Sequence, residues 1–186
     1  MTSALRIALV YPDLLGTYGD RGNALVLAHR ARARGIDATV LEVEAGAALP
    51  ASCDLYLLGG GEDAPQVAAA DGLRASRAAL EQALDAGAAL LAVCAGFQLI
   101  GHHYAAAGGR RMEGLGLVDL HTTAGPDRLI GEVLVAPDPA TGLPTITGFE
   151  NHGGRTHLGP DTRPLGRVLH GGGNGDGTDG VLAGGI

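Results

Sequence analysis

Cys94 is the residue whose surroundings most favour covalent chemistry. It follows an apolar run over residues 88–93 that predicts a buried strand, and it precedes a predicted helix over residues 95–104. A sharp turn from strand to helix exposes a nucleophile, and the unpaired amides at the helix N-terminus favour a thiolate. The small residues Ala95 and Gly96 allow the backbone to turn tightly and a substrate to approach. Cys94 is therefore the candidate nucleophile.

A thiolate that attacks a carbonyl group needs hydrogen-bond donors for the charge that develops on the oxygen. The amide N–H of Ala95 is one candidate donor. The amide of Gly60 is a second, because the glycine loop 59–61 follows another predicted strand. Losing one such donor typically costs about 3 kcal/mol of barrier. The alternative is that Cys94 is a packed core thiol and the loop an ordinary turn. Cys53 lacks this context and is interpreted as structural.

The order of the predicted elements favours an α/β domain with a doubly wound, mostly parallel sheet flanked by helices. The carboxyl ends of such strands form the ligand site, and both Cys94 and the glycine loop lie at such ends. The strand before Cys94 is fully apolar and is expected to be central. The C-terminal half adds strands and then a loop over 171–185, and we expect one domain over 1–186. The predicted strands are 5–10, 38–43, 54–58, 88–93, 116–122, 129–136 and 145–149, and the predicted helices are 22–34, 71–86 and 95–104.

Composition and charge exclude several function classes. The 20 acidic against 13 basic residues give a net charge of −7, which disfavours nucleic-acid binding. No run reaches the roughly 18 apolar residues of a membrane span, and the N-terminus does not resemble a secretory signal. Two cysteines make neither a disulfide framework nor a zinc site. We expect a cytoplasmic protein that does not insert directly into a membrane and binds no metal.

The chain resembles class I-type glutamine amidotransferase domains. Within that class it is similar to the cobyric-acid-synthase-like branch, and more narrowly to the GatD-like glutaminase subunits of lipid II isoglutaminyl synthases. The resemblance extends over essentially the whole chain and implies the flavodoxin-like fold of that class. The motifs that carry it are residues 18–23, 58–63, 93–98, 113–116 and the nine-residue segment 148–156, Gly-Phe-Glu-Asn-His-Gly-Gly-Arg-Thr.

The resemblance implies a reaction, a partner and two further site residues. The Cys94 thiolate would attack the side-chain amide of glutamine, release ammonia, and leave a glutamyl thioester that water cleaves. Ammonia would pass to a Mur-ligase-like, MurT-type synthetase that amidates the D-glutamate of lipid II. That partner would bind ATP and metal, so no cofactor is expected in this chain. Arg128 and Gln98 would bind glutamine, although Arg128 is equally consistent with an exposed surface residue.

The general base is where the chain departs from the family pattern. The resemblance implies a catalytic His beyond the position of Ile186, so we expect the domain to be truncated before it and the printed chain to have little glutaminase activity. His152 is the internal alternative, although it could instead order its own motif. Glu150 and Asp20 are candidate carboxylates for a triad, and the spacing selects neither.

Three other functions remain open. A corrinoid amidotransferase of the cobyric-acid-synthase type would share the hydrolysis and differ in its acceptor. A non-catalytic scaffold would keep the fold without the chemistry. A Cys peptidase or a chaperone-like hydrolase on the same sheet would leave the segment 148–156 unexplained.

Overall fold

The computed structural model describes residues 4–17, 20–105 and 111–186. Tyr18 and Gly19, which belong to the N-terminal motif, lie outside the described residues. The chain divides into two compact units. The first comprises residues 1–100 with 185–186, and the second comprises residues 101–184. The expectation of one domain over 1–186 stays a prediction.

The first unit is a four-stranded parallel sheet with helices, as the strand–helix alternation predicted. The strand order is β2-β1-β3-β4, which is the order of the flavodoxin-like doubly wound sheet. Its elements are β1 (Ala4–Val10), α1 (Asp20–Arg32), β2 (Asp37–Val43), β3 (Leu55–Leu58), α2 (Asp63–Asp85), β4 (Ala89–Ala92) and α3 (Ala95–Ile100).

Small side chains allow α1 to pack closely on this sheet. Ala24, Ala28 and Ala31 recur at helical spacing and form one buried cluster with Ile7 and Leu9 of β1. Ile7, Ala8, Leu9 and Val10 are all at most 1% exposed, so β1 is covered on both faces. A parallel strand that is buried on both faces has a continuous apolar sequence, which is why β1 could be predicted.

All three predicted helices have different bounds in the structure, and the one predicted over 22–34 is shifted by two residues to Asp20–Arg32. The helix predicted over 71–86 begins at Asp63, eight residues earlier. Pro65 lies in its first turn, where a proline is tolerated because that backbone N–H would have no helical partner. The helix predicted over 95–104 ends at Ile100, because His103–Ala105 forms strand β5.

The expectation that the strand before Cys94 is central was wrong. Strand β4 is the last strand of the described sheet, and Leu91 on it is 44% exposed. An uninterrupted apolar run indicates a strand but does not by itself fix its place in the sheet order.

The second unit is a mixed, mainly antiparallel sheet. Strands β10, β9, β7, β5 and β6 are neighbours in that order, and β8 pairs with β7. The separate strands predicted over 116–122 and 129–136 are one strand that starts at Leu120, with a register shift between Ala124 and Leu129. The predicted loop over 171–185 contains a strand, β10. The strands are β5 (His103–Ala105), β6 (Arg111–Glu113), β7 (Leu120–Pro137), β8 (Ile146–Leu158), β9 (Arg163–His170) and β10 (Thr178–Leu182).

Candidate active site

Cys94 sits at a strained turn between β4 and α3. Its φ is +56°, in the left-handed region that a residue with a Cβ rarely adopts. Such backbone strain concentrates at functional sites, and a nucleophile between a strand and a helix takes this form in a nucleophile elbow. The Cys94 carbonyl accepts the Gln98 N–H at 3.1 Å, so the helix starts directly after the candidate nucleophile. Cys94 is half-buried and is not enclosed in the core.

The elbow packs directly on the end of β3, and Gly96 makes this possible. A Cβ at Gly96 would lie 2.7 Å from both the Cβ and the carbonyl oxygen of Leu58. The Gly96 N–H donates to the Gly59 carbonyl at 2.9 Å, which joins the elbow to the glycine loop. The sequence predicted that these two segments would meet at the carboxyl end of the sheet, and they do.

The amide of Gly60 has a partner in the structure. Its N–H donates to Oδ2 of Asp20 at 3.1 Å, and the Gly60 carbonyl accepts the Thr17 N–H at 3.1 Å. Asp20 is the first residue of α1 and is 3% exposed. The roles of Gly60 and Ala95 as oxyanion donors stay predictions.

Gln98 is held by a residue that the sequence reasoning missed. Nε2 of Gln66 on α2 donates to Oε1 of Gln98 at 2.9 Å. Gln66 is 1% exposed, an unusual position for a glutamine. The sequence signal that could have identified Gln66 is a polar residue at a core-facing position of the otherwise Ala-rich helix α2.

Arg128 and His152 belong to the second unit. Nε of Arg128 donates to Oδ1 of Asn151 at 2.7 Å, so this exposed guanidinium is oriented by the motif 148–156. His152 has Nδ1 2.9 Å from the Gly154 carbonyl and Nε2 3.6 Å from Oε2 of Glu150. Both ring nitrogens of His152 therefore face groups of its own strand, which favours a role in ordering the motif. The predicted roles of Arg128 in binding glutamine and of His152 as a substitute general base stay predictions.

Glu150, a candidate triad carboxylate, binds a glycine turn. Its side chain accepts the N–H of Gly172 at 2.9 and 3.2 Å, and that of Gly173 at 2.9 Å. The residue is only 9% exposed. These contacts satisfy its buried oxygens and anchor the start of the segment that leads to β10.

Three histidines form a row on one face of the second unit's sheet. His103, His121 and His157 are cross-strand neighbours on β5, β7 and β8, and the ring centroids are 5.0 and 4.9 Å apart. Burial, together with the nearby Arg111 and His121, lowers the pKa of His103. Burial, together with His157, lowers that of His121. The stacked rings do not form a chelate, and in the described parts of the chain no group of three or more His, Cys, Asp or Glu side chains could hold a metal ion.

Cys53 differs from Cys94 in its surroundings. It is 5% exposed, and burial raises the pKa of its thiol. Its backbone N–H donates to the Tyr56 hydroxyl at 3.3 Å. A buried thiol with a raised pKa is a poor nucleophile, so Cys53 is an internal reference for the reactivity of Cys94.

The strand order and the strained Cys94 turn place the first unit among doubly wound α/β folds that carry a nucleophile elbow. Residues 6–185 match the family of CobB/CobQ-like glutamine amidotransferase domains. The chain belongs to this family.

Two similar relatives are GatD subunits of lipid II isoglutaminyl synthase (glutamine-hydrolyzing). The chain is 38% identical over 172 residues to that of Streptococcus pneumoniae, which covers 91% of this chain and 65% of the relative. It is 37% identical over 165 residues to that of Staphylococcus aureus, covering 88% and 66%. The chain thus spans slightly less than two thirds of the length of these relatives.

A more distant relative is similar in sequence, and a solved structure is similar in fold. The cobyric acid synthase of Pelotomaculum thermopropionicum is 36% identical over 120 residues, which covers 57% of this chain and 22% of that protein. A crystal structure of a glutamine amidotransferase shares the fold, with a TM-score of 0.56 and 16% identity over 87% of this chain and 79% of that one. Among the described residues, none of the helices is long and apolar enough to cross a membrane.

Proposed function

We propose that this chain is the glutaminase component of a glutamine-dependent amide-forming enzyme, with Cys94 as its nucleophile. The observation that carries the proposal is the left-handed backbone of Cys94 at the turn from β4 to α3. A side chain presented in this way at a helix N-terminus is exposed at the turn and can reach a bound carbonyl group.

The proposed chemistry has two steps. The Cys94 sulfur bonds to the side-chain carbonyl carbon of glutamine, and the resulting oxyanion receives N–H donors from Ala95 and Gly60. The proton lost by the Cys94 thiol is transferred to the nitrogen, the carbon–nitrogen bond breaks, ammonia leaves, and a glutamyl thioester remains. Water then cleaves the thioester to glutamate and restores the thiol.

Gln98 and Arg128 complete the proposal as glutamine ligands. The Gln98 side chain lies one helical turn after Cys94 and is oriented by Gln66. Arg128 would hold a substrate carboxylate through charge-assisted hydrogen bonds, and its contact with Asn151 fixes the direction of the guanidinium.

The ammonia would be used by a synthetase subunit of the Mur-ligase type for amidation of lipid II. The similarity to two GatD subunits, over about nine tenths of this chain, supports this acceptor. ATP and metal would be bound by that synthetase. We expect the protein to work in the cytoplasm.

A corrinoid acceptor is the second candidate, and the partial match to cobyric acid synthase favours it. This match covers a smaller part of the chain than the matches to the two GatD subunits do. The two candidates share the Cys94 chemistry and differ only in the molecule that receives ammonia.

The test combines covalent trapping with an acceptor assay. A glutamine chloromethyl ketone should modify Cys94 selectively, whereas Cys53 should remain unmodified, as followed by peptide mass spectrometry. The Cys94→Ser variant should lose the adduct. In the presence of the synthetase and ATP, any amidation that glutamine drives, however slow, should occur on lipid II and not on a corrinoid. Equal modification of Cys53 and Cys94 would disprove the glutaminase assignment. Amidation of the corrinoid alone would show that the acceptor is a corrinoid and not lipid II.

A further inference from the structure

The carboxylate of Asp20 accepts the hydrogen bond of the Gly60 amide, which the proposed reaction requires as an oxyanion donor. Oδ2 of Asp20 accepts the Gly60 N–H at 3.1 Å, and Asp20 is 3% exposed. The carboxylate lies directly against the preceding glycine: a Cβ at Gly59 would be 2.1 Å from Cγ of Asp20 and 2.3 Å from the Leu15 carbonyl oxygen. Only glycine at position 59 permits this approach.

The same loop is bonded to the nucleophile elbow. The Gly59 carbonyl accepts the Gly96 N–H at 2.9 Å, two residues after Cys94. On its other side, the Gly60 carbonyl accepts the Thr17 N–H at 3.1 Å. A change in the Asp20 contact therefore acts on a segment that is connected by hydrogen bonds to the elbow.

One amide N–H cannot serve a carboxylate and a developing oxyanion at the same time. The carboxylate also carries the same charge as the oxyanion, so its presence at the donor opposes the build-up of negative charge. A hydrogen bond from an amide to a carboxylate is roughly twice as strong as one to a neutral acceptor, so releasing it has a cost.

We infer that Asp20 is a resting-state latch on the oxyanion loop. The Gly60 amide must leave the Asp20 carboxylate before it can stabilise an oxyanion at Cys94, so acylation of Cys94 is coupled to a movement of this loop. The inference rests on the proposed function for the role of Gly60, but the contact itself can be measured independently.

The first measurement follows the Gly60 amide directly. In protein labelled with ¹⁵N-glycine, Asp20→Asn should raise the hydrogen-exchange rate of the Gly60 amide about tenfold, because the neutral side chain accepts more weakly. Asp54→Asn is the matched control, since Oδ2 of Asp54 accepts the Arg6 N–H at 2.7 Å in the same unit. An unchanged Gly60 exchange rate in Asp20→Asn would remove the latch and leave the proposed function intact.

The second measurement follows Cys94. The ratio of its modification rate by glutamine chloromethyl ketone to that by iodoacetamide should rise about fivefold in Asp20→Asn, because only the ketone oxygen uses the oxyanion donors. The ratio should not change in Asp54→Asn. A lower ratio in Asp20→Asn would show that Asp20 positions the donor and would overturn the latch.

The third measurement needs no substitution, which keeps the inference testable if Asp20→Asn does not fold. In the wild-type chain, modification of Cys94 by the ketone should shift the Gly60 amide resonance and its exchange rate. Unchanged Gly60 signals in the adduct would contradict the latch. If the ketone modifies Cys94 no faster than Cys53 in every variant, the proposed function fails and the latch fails with it.

Discussion

Nε2 of Gln66 donates a hydrogen bond to Oε1 of Gln98 at 2.9 Å, and this contact links α2 to the short helix that follows the candidate nucleophile. Gln66 is almost completely buried, so its amide depends on partners within the protein. The bond therefore couples a core position to a predicted glutamine ligand.

A double-mutant cycle should detect this coupling. The substitutions Gln66→Ala and Gln98→Ala should show a coupling energy of about 1 kcal/mol in urea unfolding, since each removes the same hydrogen bond. Gln82, an exposed residue of the same helix, supplies the control pair with Gln98 and should show no coupling. A coupling energy indistinguishable from the Gln82 pair would contradict the contact.

Gly96→Ala should destabilise the elbow. The added Cβ would meet Leu58 backbone and side-chain atoms at 2.7–2.9 Å, and accommodating it should cost about 1–3 kcal/mol of unfolding free energy. Reactivity of Cys94 toward the glutamine ketone should fall in parallel. Gly22→Ala is the control: it lies in α1 with nothing within 4 Å of the new Cβ, so it should stabilise the protein by about 0.5–1 kcal/mol. Equal effects of the two substitutions would show that the elbow tolerates the extra atom.

The strain at Cys94 can be measured as a difference between two substitutions. Cys94→Gly should be more stable than Cys94→Ala by about 1 kcal/mol, because only alanine meets the steric penalty of a positive φ. At the neighbouring helical residue, Ala95→Gly should instead destabilise, since glycine there gains no conformational relief. Urea unfolding of the three variants decides the matter. An alanine variant as stable as the glycine variant would mean that the turn is relaxed.

The histidine row should make the protein less stable in mild acid. The pKa values of His103 and His121 are lowered in the folded state, so the unfolded chain binds more protons as the pH falls below about 6.5. The contribution of these two histidines to the free energy of unfolding is therefore fully present above that pH, and it is lost as the pH falls through their lowered pKa values. His121→Gln should reduce the drop in melting temperature between pH 7.5 and pH 5.0.

The comparison for this prediction is His170→Gln, which changes a histidine of β9 that lies outside the row. That variant should keep the wild-type drop in melting temperature. If both variants show the same pH dependence as the wild type, the row does not control acid stability.

Local patterns predicted the first unit well. The apolar runs located β1 to β4, and Gly35 and Gly87, both with positive φ, follow the ends of α1 and α2. The second unit was harder. Gly125 and Pro126 look like a turn, yet they lie inside the 18-residue strand β7, where a register shift accommodates them. A β-bulge depends on the partner strand, which local sequence does not specify.

In the candidate site, too, local sequence predicted some features, while others depend on residues that are distant in the sequence. The position of Cys94 could be predicted because strand, nucleophile, small residues and helix are consecutive in the sequence. The partners of the site could not, because Asp20 and Gly60 are 40 residues apart and Gln66 and Gln98 are 32 apart. Such pairs become neighbours only when parallel strands bring their loops to one edge of the sheet.

The exposed side of β4 has a consequence for solubility. Strand β4 ends the described sheet, and the carbonyl of Gly185 accepts the Leu90 N–H at 2.8 Å, so the backbone there is partly covered by residues from the far end of the sequence. An uncovered apolar edge strand is a template for intermolecular pairing and aggregation. The Gly185 carbonyl therefore occupies one backbone donor, that of Leu90, which would otherwise be open to such pairing.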